Sequence, residues 1–88
     1  MHEMSLMKDL MGKVERLALE NGARRITRLG VKLGALSHFS PDHFREHFEQ
    51  VSRGTVAEGA SLEVELLTDI SDPHAQDVIL DSADIEDP

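Results

Sequence analysis

The sequence predicts a two-layer α/β sandwich, with two helices packed on one face of a three-stranded mixed β-sheet. Three observations predict it. Apolar residues recur at three- and four-residue steps in two stretches and at alternate positions in three others. The two kinds follow one another as helix, strand, helix, strand, strand. A sheet of this size has one apolar face to bury, and two helices laid across it satisfy that need.

Residues 5–21 read as the first helix, because Leu6, Met7, Leu10, Met11, Val14, Leu17 and Ala18 share one face. Ser5 is placed to cap its start. Asn21-Gly22 is placed to end it, since glycine accepts the left-handed conformation. Residues 25–34 read as a strand, with Thr27, Leu29, Val31 and Leu33 on one face and Arg28, Gly30 and Lys32 on the other. A second helix starts at Ser40-Pro41. Ser40 is a good N-cap, and Pro41 stands where a missing N–H loses no helical hydrogen bond. Phe44, Phe48 and Val51 form its apolar stripe, Arg53-Gly54 ends it, and Phe39 can fold back on it as a staple.

Leu62, Val64 and Leu66 alternate with Glu63 and Glu65, which predicts a strand over residues 60–68. The polar stretch TDISDPHAQD, residues 68–77, carries Pro73 and reads as a loop. VILDSADI reads as a third strand whose alternation slips near Ser82, the mark of a bulge. If the first two strands are neighbours, the helix between them makes a right-handed parallel crossover. The last two strands, joined by a loop, run antiparallel.

The 88 residues, 40% of them apolar, predict a single domain over residues 1–88 with one core. There is no cysteine, so neither disulfides nor cysteine-ligated zinc can staple it. No apolar run approaches the roughly 18 residues of a membrane helix, and no cationic leader opens the chain. A cytoplasmic protein without a membrane partner is the expectation. The formal net charge of −8 is unevenly placed. All Lys and Arg lie between Lys8 and Arg53, and residues 54–88 hold ten acids and no base, so the first 53 residues sum to +2 and the rest to −10. With this charge, three Phe and no Trp or Tyr, the chain lacks the basic patches and stacking platforms of a nucleic-acid binder. The acidic segment reads as a solvated edge, or else as a surface for a basic partner.

Three constellations carry possible chemistry. At the start, the Met1 amine, the His2 amide nitrogen and Nδ1 of the His2 ring can close adjacent five- and six-membered chelate rings on one metal. A planar set of nitrogen and oxygen donors suits Ni(II) or Cu(II), with a fourth donor from the Glu3 backbone or the turn at residues 37–40. Such chelation releases protons and weakens as pH falls through the histidine range. The alternative is that His2 is an ordinary tail residue.

The second is HFREH, which places His43 and His47 one helical turn apart with Glu46 between them. It matches an inverted zinc-protease pattern, and also a simple metal clip or plain solvated residues. A catalytic zinc needs a third ligand and a cleft, for which a domain this small has little room. On a helical wheel His43, Glu46 and Gln50 point away from the core, and His47 sits at the boundary. The third is GALSHFSP, a tight strand-to-helix turn with His38 at its tip. It is either a plain cap or a neighbour that completes the terminal site. His74 reads as solvated, and the four Met as core filler. No nucleophile–base pair and no phosphate loop stand at a recognisable spacing, and nothing argues for an enzyme.

MHEMSL, GARRITRLGVKLGALS and RGTVAEGASLEVE, in that order, resemble the HypA/HybF family of nickel metallochaperones. These proteins help load nickel into nickel–iron hydrogenase and, in some bacteria, urease. The similarity runs over about residues 1–66 and resumes over VILDSADIED, which looks like the family's last strand. The resemblance implies that His2 with its neighbouring backbone binds Ni(II) and that Glu3 shapes the site. It also implies docking to the GTPase HypB and to the hydrogenase large-subunit precursor, with the metal passed on. The family carries a second lobe between its last two strands, built on two Cys-x-x-Cys pairs that bind structural zinc. Here residues 68–77 stand in that place, so no structural zinc is expected. Two functional readings follow: a nickel-binding accessory protein for maturation of a nickel enzyme, or a metal-free interaction module that keeps the fold. A third, a hydrolase through His43, Glu46 and His47, predicts an activity that Glu46→Gln removes.

Overall fold

The computed structural model describes residues 2–87, and of His2 and Glu3 the backbone alone. Five elements follow in the predicted order: α1 (His2–Glu20), β1 (Arg25–Leu33), α2 (Pro41–Val51), β2 (Ser61–Leu66) and β3 (Val78–Glu86). The sheet order is β2-β1-β3, with β2 parallel and β3 antiparallel to the central β1. The mixed sandwich is therefore as expected, but the last two strands do not pair; each takes one edge of β1.

What carries the chain from one edge to the other is the segment 67–77, which passes the end of β1. The Leu67 N–H donates to the Leu33 carbonyl (2.9 Å), the Gly34 N–H to the Asp77 carbonyl (2.9 Å) and the Leu36 N–H to the Ala75 carbonyl (2.6 Å). Gly34 is needed there because a Cβ would run into the Ala75 carbonyl.

α1 buries the stripe that its periodicity marks: Met7, Leu10, Met11, Val14 and Ala18 are buried, with Leu6 packed beside them. It starts at His2, so Ser5 is an exposed residue of the helix and not its cap. Apolar spacing reports only the buried face, and Met4 and Ser5 are exposed, so spacing alone places the start too late. The end is as expected. Gly22 has φ +60°, its N–H donates to the Leu19 carbonyl (3.2 Å), and the Ala23 N–H donates to the Ala18 carbonyl (2.8 Å). That pair of bonds is the Schellman closure, which satisfies the last carbonyls of the helix.

In β1, Leu29, Val31 and Leu33 face the core as predicted, but Thr27 is exposed and Ile26 takes the inward place. The register with β3 shifts between Ile26 and Arg28, so Thr27 is the extra residue of a bulge. Beside it, the Ile26 N–H is taken by the Val56 carbonyl from the 52–60 turns (2.9 Å). The slip expected near Ser82 is present: Ser82 pairs with Gly30 and Leu80 with Val31, leaving Asp81 between them. Val78 and Leu80 lie inward before the bulge, and Ala83 and Ile85 after it.

α2 is capped as predicted. The Ser40 hydroxyl accepts from the His43 N–H (3.2 Å), and Phe39 meets Phe44 edge-on with ring centroids 5.5 Å apart. This is a hydrophobic staple between the residue before the cap and the fourth helical residue. Phe44 and Phe48 sink into the same core as the α1 stripe and the inward side of β1. Of the methionines expected as filler, Met7 and Met11 are buried and Met4 is 41% exposed.

Candidate metal centre

The predicted ligands Met1, His2 and Glu3 fall at the edge of what can be placed. Met1 and the side chains of His2 and Glu3 lie outside the described residues. The backbone from His2 onward is helical. A helix leaves the N–H groups of its first turn without intrahelical acceptors. The His2 amide nitrogen is thus not committed to the helix's own hydrogen bonds.

The turn offered as a source of a fourth donor runs from Gly34 to Ser40. His38, at its tip, is exposed and holds φ +66°, an uncommon backbone for a residue with a side chain. Next to it Ser37 is fully buried, and its hydroxyl has no hydrogen-bond partner among the described residues. The Ser37 N–H closes the turn on the Gly34 carbonyl (3.0 Å). The expected nearness of His38 to the terminus lies outside the described residues.

HFREH falls on the first two turns of α2. His43, Glu46 and Gln50 are exposed and His47 is half-buried, as the wheel predicts. The two imidazoles meet, with Nε2 to Nε2 at 2.9 Å and ring centroids at 4.6 Å. Both lean on the buried Phe39 ring, at 6.1 and 6.2 Å. Among the described residues no group of three or more His, Cys, Asp or Glu is arranged to hold a metal, so the inverted-protease pattern gains no third ligand there.

His74 is exposed, but its Nδ1 lies 2.9 Å from an Asp77 carboxylate oxygen, and its N–H donates to the Asp72 side chain (2.7 Å). The pair borders a cleft of about 530 Å³ against Leu6, Asp9 and Lys13 of α1.

The strongest electrostatic feature was legible only as the polar side of a strand. Arg28 donates from Nε to Asp84 (2.9 Å) and from one terminal nitrogen to Glu63 (2.8 Å), so one guanidinium ties β1 to both neighbours. Its hydrogen bond holds the Asp84 carboxyl below the usual carboxylate range. Lys32 reaches Asp81 (3.6 Å), and Arg24 reaches Glu86 (3.8 Å). Four of the ten acids of the 54–88 segment thus lie beside bases of this chain while their side chains stay solvent-exposed.

Among the described residues no helix is long and apolar enough to cross a membrane. Residues 1–70 match the family described as hydrogenase/urease nickel incorporation, metallochaperone, hypA. The hydrogenase maturation factor HypA of Rhizobium leguminosarum bv. viciae is 44% identical over 64 residues, covering 73% of this chain and 57% of that protein. The HypA of Methylocella silvestris is 37% identical over 67 residues (76% and 59%), and that of Archaeoglobus fulgidus 39% over 64 residues (73% and 58%). The matched part thus spans a little over half the length of these relatives. The solution structure of the nickel metallochaperone HypA from Helicobacter pylori is similar across the whole of both chains, with a TM-score of 0.80 at 20% identity, a likeness of fold. With the family match over residues 1–70 and relatives 37% and 44% identical over about three quarters of its length, this chain belongs to the HypA family.

Proposed function

We propose that this chain is a nickel-binding accessory protein that passes Ni(II) to a nickel enzyme under assembly, a hydrogenase in the first instance. Met1 supplies its amine, His2 its amide and ring nitrogens, and Glu3 a backbone donor or orientation. The one observation that carries the reading is the family match over residues 1–70, which includes the whole candidate chelate. The helical backbone at His2 supports it, because first-turn N–H groups have no helical acceptor to give up. Nickel is cargo in this reading. A terminal chelate suits that role, since a partner can reach it and strip it, and no step of catalysis is assigned to the chain.

The same reading takes residues 1–88 as one domain, with 68–77 standing in place of a zinc lobe and no structural zinc. It places the protein in the cytoplasm, with a HypB-type GTPase and a hydrogenase large-subunit precursor as partners and no nucleic acid. The metal-free interaction module gains little support, because Glu63, Asp81, Asp84 and Glu86 already face bases of this chain.

Equilibrium dialysis against Ni(II), with wild type and His2→Ala side by side, tests the proposal. His2→Ala is expected to lose at least about a hundredfold in affinity while keeping its circular dichroism spectrum, an effect at or above that of losing a supporting group at a metal site. Equal binding by the two proteins would sink the terminal site.

A further inference from the structure

The imidazole pair on α2 is not used by the terminal chelate. We propose that His43 and His47 form a second metal site, a two-nitrogen clip for a late first-row divalent cation. Three observations converge on it. The first is spacing: residues four apart on a helix sit one above the other, so the two rings project from adjacent turns of a fixed rod. The second is aim. The atoms that face each other are the two Nε2 atoms, 2.9 Å apart. Metal–nitrogen bonds of about 2.0–2.1 Å meeting at a right angle place their nitrogens about 2.9 Å apart, and at the tetrahedral angle about 3.3 Å apart. The observed separation is that of a right-angle pair, the geometry of square-planar or octahedral Ni(II) and Cu(II).

The third observation is pre-organisation. Both rings rest edge-on against Phe39, which is only 4% exposed and is itself locked by the staple to Phe44. Ordering two histidines at an exposed helix surface costs rotamer entropy, and here the core has already fixed the ring against which they pack.

Without metal, the same 2.9 Å is a hydrogen bond in which one neutral ring donates and the other accepts. A cation bound through both Nε2 atoms moves the donor ring's proton to its Nδ1, so both rings ligate as neutral imidazoles and no net proton leaves the pair. Among the described residues no third His, Cys, Asp or Glu joins them, so the clip itself supplies two nitrogens. Such a site exchanges metal readily and suits capture and release. Its two ligand residues, His43 and His47, are not those assigned to the terminal chelate.

The test uses Ni(II) alone with the full chain, measuring stoichiometry by calorimetry and the melting temperature with and without metal. Wild type is compared with His43→Gln, His47→Gln and the control His74→Gln. The clip exists only on the folded helix, so Ni(II) bound there raises the melting temperature. The expected result is that His43→Gln and His47→Gln each bind one equivalent fewer than wild type and lose that part of the thermal shift, while His74→Gln behaves as wild type. If the terminal site is absent, wild type still binds one equivalent and the clip variants none, so the two readings fail separately. Since His43 is exposed, its variant keeps the comparison intact should His47→Gln fold poorly. Unchanged stoichiometry and thermal shift in both clip variants, or a loss confined to His74→Gln, overturns the proposal.

Discussion

The two faces of the sheet hold the molecule together by different means. On the covered face, Leu29, Val31 and Leu33 of β1 meet the stripes of α1 and α2, and among the described residues the buried polar ones are Ser37 and Ser52. On the open face, Arg28, Lys32 and the approach at Arg24 reach across to acids of β2 and β3. The helical side keeps imidazoles that meet each other, while the open side keeps charges that cancel. Cohesion on the open face thus draws on Arg24, Arg28, Lys32 and four acids, while the paired imidazoles lie on the helical side. Four of the ten acids of residues 54–88, Glu63, Asp81, Asp84 and Glu86, flank bases at or next to β1.

The sharpest way to break this contrast is to cut into the covered face. Leu29 is fully buried, and Leu29→Ala is expected to cost about 2–5 kcal/mol in urea unfolding. A loss under 1 kcal/mol would show that the core does not carry the fold. Next is the seam where the 67–77 segment crosses β1. Gly34→Ala forces the Ala75 carbonyl away and is expected to cost about 1–3 kcal/mol, with faster amide exchange at Leu36 and Gly34 than elsewhere. Smaller still is the cap of α2, where Ser40→Ala is expected to cost about 1 kcal/mol.

The smallest effect belongs to the open face. Arg28→Met is expected to lower the melting temperature less than any of these, with the difference shrinking as salt is added. The sign with pH follows from Asp84. Its carboxyl is held below the unfolded value near ~3.9. Its contribution is therefore full above that value and is lost as pH falls through the lower folded one. Melting temperature followed from neutral pH into acid should fall more steeply for wild type than for Arg28→Met in that window. Equal slopes would mean that the Arg28–Asp84 pair does not couple to folding. None of the open-face changes should alter Ni(II) binding.

How much of this was readable in advance depends on how far apart the cooperating residues lie. α2 was fully legible because its signals are local: Ser40-Pro41 caps it, and Phe39 lies five residues from Phe44. The Schellman end of α1 was legible for the same reason. Its start was not, since Met4 and Ser5 carry no core periodicity. The bulge at Thr27 was missed because its cause is non-local: β3 sets the register, and Val56 takes the Ile26 N–H. β3 pairing with β1 instead of β2 was beyond a strand-by-strand reading, as was the Arg28 bridge, whose partners lie 35 and 56 residues away. The histidine pair was visible as a spacing, but its Nε2 contact depends on Phe39. The terminal chelate is a proposal that the sequence suggests only through three residue types, since Met1 and the side chains of His2 and Glu3 lie outside the described residues.

The most direct measurement is a Ni(II) titration by calorimetry and visible absorbance. It compares the native-terminus protein with one carrying two extra residues before Met1, both on the His47→Gln background so that the α2 pair does not contribute. If Met1, His2 and Glu3 hold the metal, the native terminus binds one Ni(II) with a planar-type spectrum and the extended protein does not. Equal binding by the two proteins, or none by either, would contradict the terminal nickel site.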